Sequence, residues 1–232
     1  MQLTLRQATE YLNVTEDTLR RWIRQRGLPV HVVNERMHLN PIELWEWATE
    51  NGIEVSRRLL EQERHAPDPV PPLSTLLEKG GIHHDVPGAD RSQVLREVVA
   101  RLPLPAEIDR EFVSAVLEAR EAMGSTGIGD GIAIPHVRNP ILLQVTEPRV
   151  TLCLLRQPID FAAIDGRPVH ALFTVVSSTV PAHLRILSQL GFALRDRSLK
   201  NLLDIRADAT RILGRIREME ASPPPRAAGR SS

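Results

Sequence analysis

Apolar side chains in the first fifty residues recur as short helical stripes, each closed by its own capping residues. Leu5, Ala8 and Leu12 fall at i, i+3 and i+7, the spacing of one buried helix face. Thr4 with Gln7 has the form of a capping box, and Asn13 suits the left-handed stop. Thr15 caps a second helix with Glu16 and Asp17 in its first turn, favourable to the helix dipole. Val14 and Leu19 stand at the positions of a hydrophobic staple, Leu19, Trp22 and Ile23 form the apolar face, and Gly27 ends the run. Val30–Val33 and Arg36–Leu39 read as two strands around an Asn34–Glu35 turn. Asn40, Pro41 and Glu43 open a third helix with Ile42, Trp45 and Ala48 on one face, and Gly52 closes it. Two helices, a hairpin and a helix make a small N-terminal winged helix-turn-helix domain, assigned to residues 1–56.

The pattern then changes. Pro67, Pro69, Pro71 and Pro72 cannot continue a helix and act as a semi-rigid spacer, so residues 57–72 are a linker. Beyond it, residues 73–220 alternate helical and strand patterns. Leu73, Leu76 and Leu77 begin a helix, and a short strand follows Gly80-Gly81 around Ile82. Arg91–Leu102 and Ile108–Met123 are helical, the second with Phe112, Val113, Val116 and Leu117 inward. Strands are expected at Ile132–Ile134, Ile141–Gln144, Val150–Leu155 and Val169–Val176. Helices follow over Pro181–Leu194, with Leu184, Leu187, Leu190 and Leu194 on the core face, and over Asp204–Glu218. This interleaving predicts an α/β C-terminal domain with a mixed central sheet flanked by helices. Residues 221–232, with Pro223-Pro224-Pro225, are expected to be a disordered tail.

Composition narrows the chemistry. Lys plus Arg equals Asp plus Glu at 29 each, so net charge indicates no partner. A lone cysteine, Cys153, excludes an internal disulfide and a thiolate zinc cluster and fits a reducing cytoplasm. No signal peptide is apparent and no apolar run reaches the length of a membrane span, so a cytoplasmic protein without membrane insertion is expected. His83-His84-Asp85 is a weak metal candidate, because neighbours on a strand point to opposite faces; no metal is assigned.

The chemistry concentrates in Gly124-Ser125-Thr126-Gly127-Ile128-Gly129-Asp130-Gly131-Ile132-Ala133-Ile134-Pro135-His136. Glycines let a backbone approach a ligand and turn N–H groups toward an anion, which makes Ser125, Thr126, Gly127, Gly129 and Gly131 candidate loop residues. Pro135 restricts its own φ and biases Ile134 to extended geometry, so His136 arrives at a strand end with little freedom. The string is neither a Walker loop, lacking Gly-Lys-Ser/Thr, nor a dinucleotide fingerprint. A glycine-rich turn followed by a structural histidine remains the plain alternative.

That string closely resembles the active-site segment of the IIA domains of the bacterial phosphotransferase system, of fructose/mannitol and nitrogen-regulatory type. The likeness extends from Leu73 through about Met219, and takes in Pro158-Ile159-Asp160-Phe161 and Ile164-Asp165-Gly166. It implies that His136 accepts a phosphoryl group, through Nε2, from HPr or its nitrogen-branch counterpart. It also implies that Arg120, five residues before Ser-Thr-Gly, flanks the acceptor and that His183, in Ala182-His183-Leu184, lies against it. A guanidinium suits the charge spread over the equatorial oxygens of a metaphosphate-like transition state. A phosphohistidine donor is already activated, so no cofactor is needed.

Leu3–Ala48 resembles the excisionase or MerR-like DNA-binding family, in Leu5-Arg6-Gln7-Ala8, Tyr11-Leu12, Val14-Thr15-Glu16-Asp17-Thr18-Leu19 and Arg21-Trp22-Ile23. Double-stranded DNA is the implied partner, with Thr18, Arg20, Arg21, Arg24 and Gln25 on the recognition helix and Arg36 on the wing. Six arginines against eight acids over Met1–Ser56 are not the usual basic balance of a duplex binder, but four of the six arginines lie between positions 20 and 26. The alternative is a solvated face paired with its own glutamates. A phosphorylation-controlled transcriptional regulator follows from the fusion; a sugar-transport IIA component, and a non-phosphorylated protein acting through regulatory partner proteins, stay open. Winged helix-turn-helix proteins commonly bind as homodimers, although no long heptad here would build one.

Overall fold

A computed structural model describes residues 3–33, 36–53, 70–137, 145 and 147–221. The N-terminal unit runs β1 (Leu3–Thr4), α1 (Leu5–Leu12), α2 (Glu16–Gln25), β2 (His31–Val33), β3 (Arg36–Leu39) and α3 (Pro41–Glu50). Its caps are the expected ones. Thr4 and Gln7 bond reciprocally, Asn13 sits at φ 51°, and Thr15 accepts from the Thr18 N–H. An unexpected third strand, β1, pairs antiparallel with β3, Leu3 opposite Leu39. Leu3, Ala8, Tyr11, Leu12, Leu19, Leu28, Leu39, Leu44, Trp47 and Ala48 form this unit's core.

The second unit runs α4 (Leu73–Gly80), β4 (Ile82–Val86), α5 (Arg91–Arg101), α6 (Arg110–Ala122), β5 (Gly127–Gly129), β6 (Ile132–Ala133), β7 (Arg149–Ile159), β8 (Val169–Val176), α7 (Val180–Ala193), α8 (Arg197–Asp204) and α9 (Ala209–Ala221). Its five strands lie in the order β4-β7-β8-β6-β5. The β4/β7 and β6/β8 pairs are parallel, and β7/β8 and β5/β6 are antiparallel. The period of two separates two cores. Val150, Leu152 and Leu154 with Ala171, Phe173 and Val175 face α4, α7, α8 and α9. Cys153 and Leu155 with Leu172 and Val176 face α5 and α6. Burial pushes the Cys153 thiol up to about 12, as befits an apolar core residue.

Several expectations need correction. Phe112 points outward and is half exposed, while Val113 and Leu117 carry the buried face of α6. The final helix does not start at Asp204: α8 ends there, Arg206 adopts φ 51°, and Asp208 then caps α9 through the Arg211 N–H. Part of the glycine run is itself a strand, β5. Trp45 does not join the N-terminal core with Ala48; it packs into the core of the second unit, against the α4 and α7 side of the sheet. The expected turn at Asn34–Glu35, the Arg36 side chain, most of the linker, the strand at Ile141–Gln144 and the tail from 222 lie outside the described residues.

Candidate functional site

Ile132, Ile134 and His136 alternate along one extended segment, so all three present the same face as α7. His136 forms an isolated parallel bridge with Val175 of β8, which places its ring over the first turn of α7. There Thr179 caps the helix, and His183 is fully buried four residues later. The two imidazoles lie 5.1 Å apart between ring centroids, at 47°. His136 Nδ1 is 2.7 Å from the Ile134 carbonyl oxygen. A carbonyl only accepts, so this nitrogen carries a hydrogen.

His183 is held through Nδ1, 3.1 Å from Ser177 Oγ, and its buried Nε2 has no hydrogen-bond partner. Burial, reinforced by the neighbouring His136, lowers its basicity well below the ordinary imidazole range, against an opposing pull from Glu46. His183 is therefore neutral at physiological pH.

Arg120 projects from the last turn of α6 and is 6% exposed. Its Nη1 donates to the Gly124 carbonyl at 2.7 Å, which fixes the guanidinium at the mouth of the glycine segment. The structure thus brings His136, Arg120 and His183 together.

The glycine segment is built differently from an open anion cradle. The Thr126 N–H and hydroxyl both donate to the buried Glu121 carboxylate, at 2.9 and 2.6 Å. The Gly127 N–H donates to Ser125 Oγ and the Asp130 N–H to Asp165 Oδ2. Gly129 and Gly131 serve the tight β5–β6 turn, with φ of 97° and 71°. At Gly131 a Cβ would also fall 2.3 Å from His170 Nδ1. The segment shapes the site by its turn, while these three N–H groups satisfy neighbours.

Sequence reasoning missed what covers His136. Glu46 of α3 reaches across from the N-terminal unit, and its Oε1 receives Arg120 Nε at 2.9 Å and Nη2 at 2.8 Å. The same oxygen is 3.0 Å from His136 Nε2. Trp45 stands edge-on to the His136 ring at 6.3 Å. His136 is consequently only 2% exposed. The histidine is not openly presented. No periodic signal in α3 marks Glu46, because its partners lie 74 and 90 residues away. Glu121 was missed as well, although its place five residues before Thr126 is a local clue.

On the N-terminal unit, Arg21, Arg24 and Gln25 are exposed along α2. Arg20 pairs with Glu16 at 2.6 Å, as the solvated-face alternative anticipates. The Thr18 hydroxyl is engaged with Thr15 at 3.0 Å. Among the described residues no group of three metal-ligating side chains occurs, and no helix is long and apolar enough to cross a membrane.

A buried histidine at a strand end, flanked by a second histidine and an arginine on a mixed five-stranded sheet, defines the class of α/β domain to which the second unit belongs. A family model described as the phosphoenolpyruvate-dependent sugar phosphotransferase system, EIIA 2, matches residues 75–219, and the chain belongs to that family. A helix-turn-helix domain model matches residues 3–52. The chain is 39% identical over 131 residues to a nitrogen regulatory protein of Pseudomonas aeruginosa, covering 54% of this chain and 81% of the relative. It is 29% identical over 140 residues to the fructose-specific EIIABC component of Bacillus subtilis, covering 59% of this chain but 22% of that protein. The crystal structure of nitrogen regulatory protein IIA-Ntr from Neisseria meningitidis superposes with a TM-score of 0.54 at 27% identity, over 62% of this chain and 97% of that one.

Proposed function

We propose that this chain is a phosphocarrier-type transcriptional regulator, in which a IIA unit takes a phosphoryl group on His136 and a helix-turn-helix unit reads duplex DNA. The observation that carries this is the orientation of His136. The Ile134 carbonyl holds Nδ1, so Nε2 is the free end of the ring, directed at the Glu46 oxygen that the Arg120 guanidinium also holds, with the neutral His183 alongside. In the transfer, the Nε2 lone pair bonds to phosphorus while the P–N bond of an HPr-type phosphohistidine breaks and returns its pair to the donor nitrogen. Nδ1 keeps its hydrogen on Ile134. Arg120 meets the equatorial oxygens, and the unpartnered Nε2 of His183 meets another.

Residues 1–56 would serve as the DNA reader, 57–72 as linker, 73–220 as carrier and 221–232 as tail, in a cytoplasmic protein. Arg21, Arg24 and Gln25 are the exposed contacts offered to DNA, with Arg20 available once it exchanges Glu16 for phosphate. The test is incubation of the full chain with phosphoenolpyruvate, enzyme I and HPr, followed by peptide mass spectrometry. A phosphoryl group on the His136 peptide, absent from His136→Ala, is the expected result. No phosphate on the wild type would remove the carrier function.

A further inference from the structure

The phosphoacceptor site is already filled by a carboxylate from the chain's other unit. Glu46 Oε1 takes two Arg120 N–H groups and lies 3.0 Å from His136 Nε2. These are the donors that phosphoryl oxygens on Nε2 would use. The contact is dry, with Glu46 7%, Arg120 6% and His136 2% exposed. It is also supported by packing, since Trp45 beside it joins the core of the second unit. We propose that α3 is a built-in stopper whose Glu46 stands in for the phosphoryl group, so that docking of the DNA-reading unit and phosphorylation of His136 exclude each other. This rests on His136 being the acceptor.

Three physical reasons make the two states exclusive. A phosphorus atom bonded to Nε2 would fall well inside the 3.0 Å now spanned to Oε1. A phosphoryl group carries about −1.5 to −2 charge at neutral pH and would face the Glu46 carboxylate across the same guanidinium. Finally, the Glu46 carboxylate occupies Nε2 at 3.0 Å, so the ring atom that would attack phosphorus is covered until α3 leaves. Once α3 has left, the transfer runs as described above.

The withdrawal of α3 reaches the DNA-facing helix. Trp47, on the other side of α3, packs against Trp22 of α2 at 5.3 Å, and its Nε1 donates to the Arg26 carbonyl at 2.9 Å. Leu44, Trp47 and Ala48 bind α3 into the N-terminal core, whereas Trp45 and Glu46 bind it to the carrier. The N-terminal unit therefore moves with α3 as one body, and phosphorylation changes where α2 lies relative to the carrier.

The experiment compares full-length wild type, Glu46→Ala and Trp45→Ala, each treated with phosphoramidate, a donor too small to need a protein docking surface, with phosphate localised by mass spectrometry. Expected is phosphorylation of His136 in all three, at least about tenfold faster in both variants, since each removes a buried contact that closes the site. Small-angle scattering of the phosphorylated wild type should show a larger radius of gyration than the unmodified chain. Equal rates in the three proteins, or an unchanged radius on phosphorylation, would overturn the stopper while leaving His136 as acceptor. No phosphate on any of them would instead remove the acceptor itself.

Discussion

Replacing Glu46 with alanine takes away the oxygen that Arg120 reaches at 2.8 and 2.9 Å and His136 Nε2 at 3.0 Å. Within one rigid domain, losing one partner of a buried ion pair costs about 3–5 kcal/mol, because the other charge stays dry. Here the partners sit on α3 and α6 of different units, so the guanidinium can recover water by parting from α3. The cost is then capped by the free energy of docking. Trp45, at 5% exposure, opposes parting: burying roughly 200 Å² of indole at ~25 cal/mol/Å² contributes at most about 5 kcal/mol. The two magnitudes nearly cancel. Glu46→Ala is thus expected to leave docked and undocked forms comparably populated, while the core of the second unit stays folded. Diethyl pyrocarbonate, which carbethoxylates accessible imidazoles, reads the change directly. His136 should react about 10²-fold faster in Glu46→Ala than in wild type, equivalent to roughly 3 kcal/mol of lost docking. In a cycle with Arg120→Ala, the pair should be non-additive by about 1–3 kcal/mol. Unchanged His136 reactivity together with strict additivity would refute the contact.

Two further outcomes follow from buried groups outside that contact. Thr126→Val keeps the side-chain volume but removes the 2.6 Å bond to the Glu121 carboxylate, and should lower the stability of the second unit by about 1.5–3 kcal/mol in urea denaturation; an unshifted midpoint would contradict the role given to Glu121. Burial lowers His183, aided by His136, and lowers His170, there with Arg206 and Arg167 adding to it and Asp204 opposing. Their folded values lie below the unfolded ones, so the unfolded chain takes up protons first as pH falls. Stability should be full above about pH 6.5 and decline below it, by up to ~1.4 kcal/mol per pH unit for each histidine. His183→Asn should show a shallower decline between pH 7 and 5.5 than wild type, and equal slopes would argue against a neutral buried His183.

What could be read from the chain follows from the range of the forces involved. Helix starts at Thr4 and Thr15 and the stop at Asn13 are decided within four residues, and each appears where its residue type demands. The strands β7 and β8 announce themselves because two-sided burial needs apolar residues at nearly every position. Arg120, His136 and His183 come from distant elements, and nothing local links them; only the resemblance to IIA domains grouped them. Phe112 fits the helical stripe of α6 yet points outward, because Val113, Val116 and Leu117 carry the face that packs with α5 and the sheet. Arg206 at positive φ gave no residue-type signal and so hid the break between α8 and α9. The Glu46 contact was illegible for a deeper reason. Glutamate in an amphipathic helix is ordinarily solvated, and its burial depends on a second folded unit arriving with an arginine in place.

The most direct test of the central claim is phosphorus NMR of the full-length chain after transfer from phosphorylated HPr. The Ile134 carbonyl occupies Nδ1, so the resonance should be that of an Nε2-phosphohistidine and should vanish in His136→Ala. An Nδ1-phosphohistidine, or a signal that survives His136→Ala, would contradict the account.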